Sequence, residues 1–265
     1  MGLEGGIFMP EKETQAVLTV PDGALSQPPI LSKTYWRLAA KNFSDTRMIA
    51  FAALIIAMRV VVKFFKIPLA AGLSLTFDCY VNSLGSLCYG PLVGLAVGAI
   101  SDTLGCIIHP SGDYFLPFIL TEMTSSFIFG LFLWKRTLTP VRVLVCKFTV
   151  NLVCNIILTS VLMKWYYYAL YGLEDAQAYS IINLTRIAKN LILFPLEAVL
   201  ITVLLGALIT PLKSLRLLPN DHRKLEIRPR DIVLVVILML ISIGLVLLYV
   251  FVLKDFIAEH NIKLL

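Results

Sequence analysis

The sequence predicts an all-α integral membrane protein with several bilayer-spanning helices. Of its 265 residues, 58% are hydrophobic and 15% charged, with a mean hydropathy of +0.84; an average soluble domain carries about 25% charged residues. The apolar residues also fall in runs near the roughly 20 residues of helix that cross a hydrocarbon core. Within lipid a backbone must satisfy its own hydrogen bonds, so such runs are helices. One large soluble domain would need a polar face on most of these helices, and they lack it.

Residues 1–29 are polar, hold Pro10, Pro21, Pro28 and Pro29, and have the composition of a poorly ordered extension. The first apolar run begins near Met48, so no signal peptide is expected and the first hydrophobic helix directs insertion. Between them Tyr35, Trp36, Leu38 and Phe43 alternate with Lys33, Arg37 and Lys41. That pattern suits a short helix at the headgroup level, or a plain solvated linker. The first span covers about residues 48–62. Residues 67–76 contain Pro68 and Gly72 and read as a loop. The second helix, about 77–89, is short for a crossing, as if a loop folded back into the membrane replaced part of it. A Gly90-Pro91 turn leads to the third helix, which runs to 108, and a compact loop at 109–113 precedes the fourth, 114–134. The fifth runs over 143–163 and ends near Trp165, Tyr166, Tyr167 and Tyr168, an interfacial aromatic group. The sixth covers 187–210. A charge-free seventh covers 232–253.

Charge sets the orientation. The net +6 arises from Lys and Arg concentrated in 1–47, 135–147 and 213–230, while the 109–114 loop has none. By the positive-inside rule the N-terminus is cytoplasmic, and seven spans place the C-terminus outside. The excess is therefore an orientation signal and not a nucleic-acid one. The expected organisation is a cytoplasmic extension (1–47), a membrane domain (48–210), a basic cytoplasmic loop (211–230), and an extra helix with a short external tail (231–265). Cys79, Cys88, Cys106, Cys146 and Cys154 lie in or beside apolar segments without a CxxC or metal-ligand spacing, so they read as packing residues. No Walker A loop, HExxH or GxSxG occurs. No catalytic residue, metal or cofactor is expected, and any energy for transport must come from a partner or an ion gradient.

Ionisable groups inside spans are costly and line cavities or pathways. Arg59, Lys63 and Lys66 share a face if the first helix continues, giving a cationic wall for an anionic ligand or side chains that snorkel to the headgroups. Ala53 and Ala57 lie roughly opposite, about 200° from Arg59. Small residues four apart admit a close helix, and Gly94 and Gly98 repeat the spacing; both pairs suit partner docking or internal packing. On the sixth helix Arg186, Asn190 and Glu197 fall within about 40° of one another, beside Lys189. The two cations can clamp carboxylates, and Glu197 can pair internally. Asn151 and Asn155 on the fifth helix, and Asp78 and Asn82 on the second, are one turn apart. Each pair can read a ring edge or bond between helices. Asp102 and Glu122 read as helix-to-helix partners.

Taken in order, these segments resemble the folate-family S components of energy-coupling factor (ECF) transporters. The resemblance rests on the run from Ala53 through Ala57, Arg59 and Lys63, then Ile67-Pro68, Gly72 and Phe77-Asp78. It continues through Gly90-Pro91, Gly94, Gly98 and Asp102, then Pro110-Ser111-Gly112-Asp113-Tyr114 and Arg186, Lys189 and Asn190. It covers about residues 48–210. It implies a six-helix vitamin-binding bundle in a bacterial cell membrane that works with a transmembrane coupling protein and two ATPase subunits. It further implies partner contact at Ala53 and Ala57, and less directly at Gly94 and Gly98. The loops 67–76 and 109–115 would cap the pocket, with ligand contact from Arg186, Lys189 and Asn190. A folate, with its aromatic pterin and dicarboxylate tail, fits such a pocket. The chain departs from the family pattern in its N-terminal extension and seventh span. The alternatives are an S component for another vitamin-like molecule, or a membrane-embedded enzyme on a lipid-linked substrate. The enzyme would need a cytoplasmic carboxylate or histidine cluster where basic residues stand instead.

Overall fold

The computed structural model describes residues 29–70, 73–108, 115–172 and 184–218, with scattered positions between 229 and 244. The 109–114 loop therefore lies outside the described residues. Chain order begins with a capped helix: the Ser32 hydroxyl accepts the Tyr35 N–H at 3.2 Å, starting α1, Lys33–Lys41. Asp45 accepts the Arg47 N–H at 3.0 Å and starts α2, Thr46–Val62. Such side-chain oxygens satisfy donors that the first helical turn leaves free. α2 buries Met48, Ala52, Ile55, Arg59 and Val60 and exposes Ile49, Leu54, Met58 and Val61.

The segment read from the sequence as a loop is an antiparallel hairpin, β1 (Lys66–Ala70) and β2 (Leu73–Thr76), with Ile67 opposite Leu75 and Pro68 opposite Ser74. A two-stranded ribbon has only edges, so a proline that lacks an N–H is tolerated there. The helix ends at Val62 and Lys66 opens β1, so Lys66 does not continue the Arg59–Lys63 face.

α3, Asp78–Ile108, is two arms broken at Gly90, whose φ of 81° lies in the left-handed region. Glycine takes this conformation without steric cost, and Pro91 has no N–H to lose at the start of the second arm. The first arm (78–89) is roughly 18 Å long at 1.5 Å per residue, short of a core about 30 Å thick. After a single 3₁₀ turn, Leu116–Phe118, comes α4, Ile119–Leu133. α5, Pro140–Val150, passes through a π-helical segment, Asn151–Leu158, into α6, Thr159–Tyr171. α7 spans Leu184–Ser214.

Contacts fix the directions. A Cβ on Gly94 would meet the Ser126 carbonyl and one on Gly98 that of Glu122, so the second arm runs antiparallel to α4. Asn82 meets Ser126 and Asp78 shares Arg59 with Glu122, so the first arm runs with α4. The result is six passes in alternation: α2, the two arms of α3, α4, the α5–α6 rod and α7. Four of the described helices, α3 among them, are long and apolar enough to cross a membrane. Ile55, Leu87, Phe129, Cys146, Ile201 and Leu205 form the centre. The described positions of the seventh segment are helical, with Val233, Val236, Ile237, Leu240 and Ile241 exposed.

Candidate ligand-binding site

The polar interior divides into two networks. In the first, Arg59 is fully buried and forks onto Asp78, with Nε–Oδ1 at 2.9 Å and Nη2–Oδ2 at 2.8 Å. The same guanidinium pairs with Glu122 and donates to Ser126 Oγ at 3.3 Å. Lys63 Nζ meets Asp102 Oδ1 at 2.9 Å. Asn82, one turn below Asp78, accepts from Ser126 at 2.8 Å and donates to Ser125 at 3.2 Å. Arg59, Lys63 and Asp78, all predicted to face a ligand, thus have protein partners that stitch α2, α3 and α4. Asp102 and Glu122 are those helix-to-helix partners. A bidentate guanidinium–carboxylate pair is the strongest form of such a link.

The second network joins the fifth and sixth passes. Asn155 Nδ2 donates to Asn151 Oδ1 at 3.1 Å and to Asn190 Oδ1 at 3.0 Å. Asn151 Nδ2 donates to the Asn190 carbonyl at 3.3 Å. The π-helical segment begins at Asn151, and segments of this kind recur at functional sites. Lys189 is half-buried beside this group; the Arg186 side chain lies outside the described residues. Deeper in the bundle, Lys147 Nζ pairs with Glu197 at 2.9 Å, with 3% and 11% of their side chains exposed. Sequence reading missed this partner of Glu197 because Lys147 counted towards a basic cytoplasmic segment. Its spacing was a usable signal: Lys147, Asn151 and Asn155 recur every four residues and share one helix face.

The hairpin sits at the end of the bundle where α2 finishes and the first arm of α3 begins. There a concavity of about 540 Å³ is lined by Val62, Phe64, Phe65, Ile67 and Phe77. Nearby Phe115 stands edge-on to Trp165 and Tyr166 at 5.4 and 5.5 Å, pinning the start of the fourth pass to α6. Ala53 and Ala57 are exposed on α2 opposite Arg59, whereas Gly94 and Gly98 are buried against α4.

Charged and amide side chains turned into the interior of a multi-pass helical bundle mark a membrane protein that handles a solute. The chain belongs to the family of ECF transporter substrate-specific components, whose family model matches residues 47–210. It is 28% identical over 119 residues to the folate transporter FolT of Clostridium novyi, covering 45% of this chain and 64% of that protein, less than two thirds of its length. With FolT of Leuconostoc mesenteroides it is 30% identical over 154 residues, 58% of this chain and 81% of the relative. A crystal structure of FolT bound with folic acid matches with a TM-score of 0.50 at 26% identity, over 60% of this chain and 91% of that one. α1 and the seventh segment lie outside the matched family region.

Proposed function

We propose that this chain is a vitamin-binding subunit of an ECF-type importer and that its ligand is folate or a related pterin. The observation that carries the reading is the likeness to a folic-acid-bound relative over 91% of that relative's length. The site chemistry supports it. A pterin is flat and aromatic, and Phe64, Phe65 and Phe77 line an apolar concavity. Its ring edge carries donors and acceptors suited to the Asn151, Asn155 and Asn190 amides. Folate adds a glutamate tail with two carboxylates, for which Arg186 and Lys189 are the candidate clamps. Arg59 and Asp78 act in this reading as the frame that fixes the hairpin end of the first arm, with Lys63 at its edge.

The same reading gives residues 48–210 the binding role and a cytoplasmic N-terminus, with the pocket facing outwards. A coupling membrane protein and two ATPase subunits would supply the energy. Docking falls to the exposed Ala53 and Ala57, since Gly94 and Gly98 close against α4. The test is a binding measurement on the purified chain with folates and a panel of other vitamins. Folate is expected to bind at or below micromolar concentration and Lys189→Ala to weaken it. Absence of folate binding at that concentration removes the substrate and leaves the family standing.

A further inference from the structure

α1 lies outside the matched family region, and its chemistry is unlike that of the spans. Tyr35 and Ala39 are completely buried against the base of the bundle. Tyr35 stands edge-on to Trp134 at 5.1 Å, and Trp36 stacks on Phe127 at 6.1 Å. Asn42 Nδ2 donates to the Tyr89 carbonyl at 2.9 Å, at the break between the arms of α3. The opposite face holds Lys33, Arg37 and Lys41, all exposed and four residues apart, hence one stripe. The adjoining turn adds Lys135, Arg136 and Arg142, and residues 29–44 and 134–142 contain no acid. Lys135 has a φ of 50° and holds its ammonium 4.9 Å from the Trp134 ring. Among the described residues no carboxylate pairs with Lys33, Arg37, Lys41 or Lys135. Burial and the nearby Lys41 charge lower the Lys135 pKa, as expected of a partly buried cation beside another.

Apolar side chains flank this stripe. Leu31 is 96% exposed, and Ile30 and Phe43 are exposed as well. Exposed apolar groups beside a row of cations suit a bilayer interface, where the former enter the acyl region and the latter meet phosphates. An acidic soluble partner would leave Leu31 and Phe43 uncovered.

We infer that α1 and the 134–142 turn form a binding surface for the headgroups of anionic phospholipids at the base of the bundle. The test uses the full chain with Trp165→Phe in bilayers, which leaves Trp36 on α1 and Trp134 packed beneath it as the only indoles. Quenching by phosphatidylglycerol brominated in its acyl chains is compared with quenching by equally brominated phosphatidylcholine. The anionic probe is expected to reach half-maximal quenching at a lower mole fraction, on the order of fivefold lower for each cation engaged. The combined K33Q/R37Q/K41Q variant should lose that preference and the charge-conserving K33R/K41R variant keep it. Replacing chloride by inorganic phosphate at matched ionic strength should leave it unchanged. Equal quenching by the two lipids in the parent protein overturns the inference whatever the variants do. So does a preference that survives in the triple variant. Loss of the preference to inorganic phosphate would make this a soluble-phosphate site and overturn the lipid assignment.

Discussion

Arg59 sits where hydrocarbon would surround an unpaired charge, and two carboxylates and a hydroxyl enclose it instead. Removing one member of a buried ion pair leaves the other uncompensated, typically at a cost of about 3–5 kcal/mol. Arg59→Met is therefore expected to lose most of its folded yield, read by size-exclusion chromatography in detergent. Arg59→Lys keeps the charge but cannot fork onto Asp78, so its melting temperature should fall between the two. Lys147 and Glu197 make a cleaner case because, among the described residues, each is ion-paired only with the other across facing helices. Lys147→Met alone should destabilise by about 3 kcal/mol, whereas Lys147→Met with Glu197→Met should recover to within about 1 kcal/mol of the parent. A double variant no better than the single would show that the pair is needed for more than mutual neutralisation. The sequence singled out Arg59, Asp78, Glu122 and Glu197 but could not match partners. They lie 19 and 63 residues apart for Arg59, and helical periodicity relates only neighbours on one helix.

At the scale of elements, punctuation was more legible than pairing. The short second helix and the Gly90-Pro91 turn follow from local patterns, and the structure has both; the pattern over 32–45 left helix and linker open, and the structure makes Lys33–Lys41 a helix. The hairpin escaped because Pro68 and Gly72 signal a break in helix and leave strand pairing unspecified. The π-helical segment escaped because Asn151 and Asn155 mark a polar face over Asn151–Leu158 without distinguishing one helical pitch from another. Gly90 combines a positive φ with the Trp134 indole 2.7 Å from where a Cβ would stand. Gly90→Ala should cost about 2 kcal/mol or more, seen as a lowered melting temperature. α1 offers a pH test. Burial raises the Tyr35 phenol to about 12 against the opposing charge of Arg136. The folded value exceeds the unfolded one, so the neutral phenol's contribution is complete below pH 10 and lost as pH rises through 12. Emission from Trp36 and Trp134 in the Trp165→Phe background should shift across that window. Adding Tyr35→Phe should remove the shift; its persistence would assign the transition to another group.

For the whole molecule, alternation of the six passes puts α1, Gly90, the 134–140 turn and Ser214 at one end, and the hairpin, Phe115 and Tyr171 at the other. Hydropathy made this architecture readable, since each crossing announces itself in its own residues. Orientation is open to a direct measurement. In a cysteine-free background, a cysteine replacing Thr137 should react only from the cytoplasmic side, and one replacing Leu116 only from outside. The reverse labelling would invert the proposed topology. Enlarging Ala53 and Ala57 to leucine should leave ligand affinity unchanged and lower uptake in cells. Loss of affinity instead would place that face inside the binding unit.

The short first arm has an electrical consequence. A helix of roughly 18 Å in a slab of about 30 Å leaves the hairpin backbone and the Asp78 carboxylate within the membrane's thickness. Hydrocarbon cannot solvate those groups, and protein does so instead: Arg59 forks onto the Asp78 carboxylate and the two strands pair with each other. Water that follows a solute down to the hairpin would make the insulating layer thinner there than in the surrounding bilayer. The transmembrane voltage then falls over a shorter distance, and the local field is steeper by a factor on the order of 1.5. A charged solute descending to that depth does electrical work that a neutral one does not.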